Sequence, residues 1–174
     1  MWPSHTSIKK ISLKRPDIIS KKILARPQLL QTIAQWKVVE RTIAFTNGVF
    51  DILHPGHIFS LSQAAREADY LIVGLNSDDS VKRLKGKDRP INNQESRSLI
   101  LAALLMVDAV VIFEEDTPLD LINAVRPDVL VKGGDYTIEQ IVGAREVIAS
   151  GGRVVINPLV QGYSTTEIIN KFRS

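Results

Sequence analysis

Residues 44–57 read Ala44-Phe45-Thr46-Asn47-Gly48-Val49-Phe50-Asp51-Ile52-Leu53-His54-Pro55-Gly56-His57. An apolar run passes into a polar turn and then into a His-Pro-Gly-His step placed to open a helix. Two of the three histidines in the chain, His54 and His57, stand here. A helix N-terminus carries free backbone N–H groups and a partial positive charge, which attract phosphate. Two imidazoles at that point add donors that can follow charge building on a phosphate oxygen. Gly56 lets backbone approach a ligand where a side chain would block it. The alternative is a tight turn with two incidental histidines. Strand–turn–helix context separates the two readings, and the flanking sequence supplies it.

Working outward, residues 42–47 form the first strand and His57–Ala68 a helix. Tyr70–Asn76 is an apolar run with little alternation, as expected for a strand buried on both faces. Ser80–Leu84 reads as a short helix, Lys85–Asn93 as a polar loop and Gln94–Met106 as a helix with Leu99, Ala102, Ala103 and Met106 at helical spacing. Ala109–Phe113 is a third strand. Thr117 is a candidate N-cap with Pro118 at the first position of a helix running to Val125. Val129–Lys132 and Val154–Asn157 are further strands. They flank a helix over Ile138–Ser150 that Gly151 and Gly152 end. A last helix spans Ser164–Phe172. Residues 28–38 suit an amphipathic helix covering a sheet edge.

Strands alternating with helices predict a doubly wound, Rossmann-like α/β fold: a five-stranded parallel sheet with helices on both faces. In such sheets ligands bind beyond the carboxyl ends of the strands, at the switch point of the strand order. With the order 3-2-1-4-5, the His54–His57 turn and the Lys132-Gly133-Gly134-Asp135 turn meet there.

The chain has 174 residues, a net charge of +3 and no cysteine. That length predicts one domain. Disulfides, thiolate catalysis and thiolate metal sites are excluded. No run is apolar enough to span a bilayer, and the N-terminus has no secretory pattern, so the reading is a cytoplasmic protein. Residues 1–27, with three prolines and Lys9, Lys10, Lys14, Arg15, Lys21, Lys22 and Arg26, read as an irregular basic extension before a single domain at 28–174. A nucleic-acid arm is the alternative, but no aromatic interleaves the cluster and no binding motif accompanies it.

The His54–His57 element after Phe45–Asp51 resembles the signature of the cytidylyltransferase-like nucleotidyltransferases. Several further stretches are similar to the heptose 1-phosphate adenylyltransferases: Asn76–Asp78, Leu84–Gly86, Arg89–Ile91, Glu114–Pro118, Val131–Tyr136 and Gly162–Thr166. Together these cover residues 40–174. The chain departs from the family at Val49 and Tyr163, where cysteine is frequent. It also lacks the arginine that precedes the Ser164 element in cytidylyltransferases, which favours an adenylyl donor.

The resemblance implies attack of a sugar phosphate on the α-phosphorus of ATP, giving ADP-heptose and pyrophosphate. The nucleophile is already anionic, so positioning and charge stabilisation suffice. It assigns His54, His57 and Lys85 to catalysis. Thr46, Asn47, Gly48, Phe50, Gly56, Arg89, Arg97, Gly162, Tyr163, Ser164, Thr165 and Thr166 would bind nucleotide. Asp51, Asp78, Lys132, Gly133, Gly134 and Asp135 would face the acceptor. Asp51 either orients the turn or helps to place Mg²⁺, and an ordinary turn residue is the alternative. Arg97 contacts phosphate or, alternatively, makes a surface ion pair. Mg²⁺ is expected to travel with the triphosphate, without a dense carboxylate cluster. As partners the resemblance implies a separate upstream sugar kinase, a phosphatase and a second copy of the chain in a homodimer. Other readings are another nucleotide (CTP or GTP), another phosphorylated alcohol such as glycerol 3-phosphate, or a nucleotide-binding regulator without catalysis.

Overall fold

A computed structural model describes residues 16–158 and Thr165. Its sheet follows from which residues can be buried on both faces. β1 (Ile43–Gly48), β2 (Tyr70–Asn76), β3 (Ala109–Phe113), β4 (Val129–Gly133) and β5 (Arg153–Asn157) pair in parallel in the order β3-β2-β1-β4-β5. The predicted strand order and parallel pairing are therefore correct. Alternate residues of each strand enter separate cores. Ile43, Phe45, Ile72, Val111 and Leu130 pack on one face with Leu29, Leu121, Ile122 and Val147. Ala44, Leu71, Val73, Val110 and Val131 pack on the other with Leu61, Ala64 and Leu101. Helices thus cover both faces: α2 (Arg26–Val38), α6 (Leu119–Val125) and α7 (Ala144–Ala149) on the first, α3 (Pro55–Ala65) and α5 (Gln94–Ala102) on the second.

Several predicted boundaries change. Residues 16–27 are not irregular: Ile18–Lys21 forms a helical turn, α1, and Ile23 bridges Val110 at the edge of β3. The Leu24 N–H donates to the Val110 carbonyl (2.9 Å) and the Val110 N–H to the Lys22 carbonyl (2.8 Å). Edge-strand hydrogen bonding and burial of Leu24 against the core override the proline signal. The helix predicted over Ile138–Ser150 is broken. A 3₁₀ turn, Ile138–Gln140, precedes α7, and Gly143 between them has φ +86°. A Cβ at Gly143 would lie 2.6 Å from Ile122 Cδ1, so the break lets the chain pass close to α6. α5 stops at Ala102, four residues short, because the chain turns to bury Val107 completely. Pro118, rather than Thr117, is the N-cap of α6. α3 starts at Pro55, and α4 (Asp78–Lys85) is longer than expected because Ser77 caps it. The predicted helix at Ser164–Phe172 lies outside the described residues apart from Thr165, which is helical. Among the described residues, no helix is long and apolar enough to cross a membrane.

Candidate active site

β1 and β4 are neighbours in the sheet, and their chain connections leave in opposite directions, so their carboxyl ends open a crevice. Lys132 at the end of β4 donates from Nζ to Asn47 Oδ1 at the end of β1, 3.3 Å away. The two predicted turns therefore meet. Between them lies a cavity of 530 Å³. Thr46, Asn47, Gly48, Phe50, Asp51, His54, Gly56, His57, Lys85, Arg89, Lys132, Gly133 and Thr165 all border it, as the sequence indicated.

His54 is the N-cap of α3, and its carbonyl accepts from the His57 N–H (2.9 Å). Pro55 fills the first helical position, where no N–H is needed. This geometry stacks the two imidazoles, with ring centroids 3.8 Å apart and planes 23° apart. Phe50 closes the other side of His57, with centroids 5.3 Å apart. Its φ of +47° is unusual for a bulky residue and marks strain held at the site. Burial lowers the His54 pKa. Burial first, and the neighbouring His54 second, push His57 down to about 4, which the Ile52 carbonyl only partly opposes. Both rings are therefore neutral at pH 7. Burial also lowers the Lys132 pKa, and no carboxylate among the described residues pairs with it. A half-buried cation beside two neutral imidazoles makes a cavity suited to anions.

The acidic residues have other tasks. Asp51, whose side chain is 1% exposed, accepts from Arg89 Nε (2.7 Å) and from the backbone N–H groups of Ile91 (2.8 Å) and Asn92 (2.9 Å). Burial raises its pKa, but the Asn92 and Ile91 amides and the Arg89 guanidinium outweigh that and hold it below the usual carboxylate range. Its oxygens are thus committed to the loop, and of the readings considered the orienting one fits. Arg89 lines the cavity from that anchored position.

Arg97 is corrected outright. It is fully buried, and its guanidinium donates to the Val49 carbonyl (2.6 Å), the Asn92 carbonyl (2.9 Å) and Asp78 Oδ1 (2.7 Å). It ties the turn after β1 to the turn after β2 and to the 86–93 loop, behind the cavity rather than in it. Asp78 is held by the same contact, and its N–H meets Gln94 Oε1; it does not border the cavity. Asp135 is exposed and also lies off the cavity wall. Gly134 is buried behind that wall. Its φ is +133°, and a Cβ there would strike the Tyr136 ring at 2.6 Å. Gly162, Tyr163, Ser164 and Thr166 lie outside the described residues.

Sequence reading missed Ser60, Tyr136 and Pro158 as cavity residues. Ser60 was detectable: it stands three residues after His57, one helical turn along the same face.

The pattern of the cytidylyltransferase-like family matches residues 45–171. The chain is 58% identical over 147 residues to the protein named bifunctional protein HldE of Hyphomonas neptunium, and 52% identical over 154 residues to that of Acidiphilium cryptum. These alignments cover 84% and 88% of this chain but only 30% and 32% of those proteins. A crystal structure of a lipopolysaccharide core biosynthesis protein from Thermoplasma volcanium superposes with a TM-score of 0.56 at 29% identity, covering 71% of this chain and 99% of that one. A pantoate-beta-alanine ligase from Francisella tularensis shares the fold at 17% identity and a TM-score of 0.55, covering 87% of this chain and 79% of that one. With its parallel sheet, paired histidines at the head of α3 and a family match over most of its length, the chain belongs to the cytidylyltransferase-like nucleotidyltransferases.

Proposed function

We propose that this chain transfers an adenylyl group from ATP to a heptose 1-phosphate. The observation that carries the reading is one cavity walled by stacked neutral imidazoles on one side and by Lys132 on the other. The likeness to proteins named HldE and to a lipopolysaccharide core biosynthesis protein supports the acceptor. Those relatives are called bifunctional, which puts two activities on one polypeptide in them. The expectation of a separate kinase is therefore not carried forward.

In the reaction, a phosphate oxygen of the acceptor forms a bond to the α-phosphorus. The bond from that phosphorus to the bridging oxygen of the β-phosphate breaks, and pyrophosphate leaves with the electron pair. No proton has to be removed from the nucleophile, so the protein's task is alignment and charge. His54 and His57 donate hydrogen bonds to phosphate oxygens. The arriving negative charge raises their proton affinity, so their hold strengthens as charge shifts to the leaving group. Lys132 holds the acceptor phosphate near the α-phosphorus. Lys85 and Arg89, on the loop side, neutralise the triphosphate. Mg²⁺ would supply further charge neutralisation. In this reading the ion is carried by the triphosphate, because Mg²⁺ keeps several waters and binds largely through substrate phosphates.

The test is pyrophosphate release with Mg²⁺ across ATP, CTP and GTP, each with heptose 1-phosphate anomers and glycerol 3-phosphate. Turnover confined to ATP with a heptose 1-phosphate is expected. Turnover with glycerol 3-phosphate instead, or with CTP alone, overturns it.

A further inference from the structure

We propose that Ser60 and Tyr136 form, beside Lys132, a subsite that reads the hydroxyl groups of the acceptor, so that the chain selects a polyhydroxylated sugar phosphate over a small phosphorylated alcohol. This rests on the function proposed above and adds the residues that set its selectivity.

The cavity is lined unevenly. The turn after β1 and the head of α3 provide imidazoles and backbone, while the end of β4 provides Lys132, Gly133 and then Tyr136. Ser60 links the two sides. It sits one turn beyond His57 on α3, and its carbonyl accepts from Asn157 Nδ2 (3.2 Å), which pins that turn to the end of β5. A Cβ added at Gly133 would lie 3.1 Å from Ser60 Oγ, so the hydroxyl stands against the residue that follows Lys132. That hydroxyl makes no hydrogen bond among the described residues, although it borders the cavity.

Tyr136 is held from below. Its ring packs on the bare Cα of Gly134, where any side chain would collide with it at 2.6 Å. The residue is 46% exposed, lines the cavity, and its phenol likewise has no partner among the described residues. A ring with an apolar face and a polar tip suits a sugar, whose C–H face stacks while its hydroxyls bond. Lys132 is the cation for the acceptor phosphate. Ser60 and Tyr136 then lie within the same wall, where the rest of a sugar would sit. A three-carbon phosphorylated alcohol fills the phosphate position but offers little surface to the ring.

The experiment compares wild type with Ser60→Ala, Tyr136→Phe and Tyr136→Ala. It measures kcat and KM for ATP, heptose 1-phosphate and glycerol 3-phosphate by pyrophosphate release, with thermal melts of each variant. A lost hydrogen bond predicts a rise of about 3- to 10-fold in the KM for heptose 1-phosphate in Ser60→Ala and Tyr136→Phe. Tyr136→Ala should exceed Tyr136→Phe because it also removes the ring. The KM for ATP should stay within about twofold, and the preference over glycerol 3-phosphate should fall in step. A shifted KM for ATP with an unchanged acceptor KM, or no change in variants that melt like wild type, overturns the subsite. If wild type rejects heptose 1-phosphate, the function proposed above fails by itself. Calorimetric titration with galactose 1-phosphate then decides the subsite. Wild-type binding that weakens in the variants upholds it, and absent or equal binding overturns it.

Discussion

His57 shows how burial prepares a side chain for its task. Its pKa falls to about 4 from an ordinary 6.5, so it stays neutral at pH 7 and donates without carrying a proton it would have to lose. The unfolded chain takes up this proton below 6.5, whereas the folded chain does so only near 4. Stability from His57 is therefore complete above pH 6.5 and drains away as pH falls toward 4. Asp51 acts in a lower window: its stabilisation is present above 3.8 and lost as pH drops below that value. Denaturant titrations from pH 7 to 3 should show both losses, and His57→Gln should shrink the upper one, leaving the share that His54, also lowered by burial, contributes. Removing a donor that follows transition-state charge predicts that His57→Ala lowers kcat by ~10²–10³-fold with the fold intact; single-turnover rates and circular dichroism check this. Arg97→Met should cost about 1–3 kcal/mol in urea unfolding, because it removes charge-assisted hydrogen bonds to the half-buried Asp78 and to two carbonyls.

At the scale of the element, hydrophobic spacing located each strand within one or two residues, since both faces of this sheet are buried and the apolar runs are continuous. Helix ends were less legible. The pattern over 138–150 is compatible with one helix, and only the proximity of Ile122 shows why Gly143 must interrupt it. Gly143→Ala should therefore destabilise by about 1–3 kcal/mol, through the left-handed backbone and the clash combined. Thermal melts measure this. The same substitution in an uninterrupted helix would be neutral or stabilising.

For the whole molecule, the segment at 16–27 completes the sheet edge. The hydrogen bonds of Lys22 and Leu24 with Val110 cover the otherwise open side of β3. Deleting residues 1–24 should lower Tm by several degrees and promote self-association through that edge, as an unpaired parallel strand does. Calorimetry and light scattering read the two effects. A truncated chain with an unchanged Tm would return this segment to the status of a tail.

The His54–His57 turn, its strand, the helix it opens and the alternation of strands with helices were all readable from the chain, because local chemistry and periodicity are properties of neighbouring residues. The meeting of that turn with Lys132 was readable only on the assumption of the order 3-2-1-4-5, which the sheet then showed. What only the tertiary structure decided was the use of each polar side chain. Arg97 and Asp78 look like site residues in sequence, yet the Arg97 guanidinium is consumed by Asp78 and by two carbonyls brought from distant turns, and the Asp78 carboxylate is held by Arg97. Ser60 and Tyr136 look ordinary, yet the close approach of Gly133 and Gly134 turns them toward the cavity. A donor's partner is set by distances across the fold, and those distances exist only once the sheet has brought its carboxyl ends together.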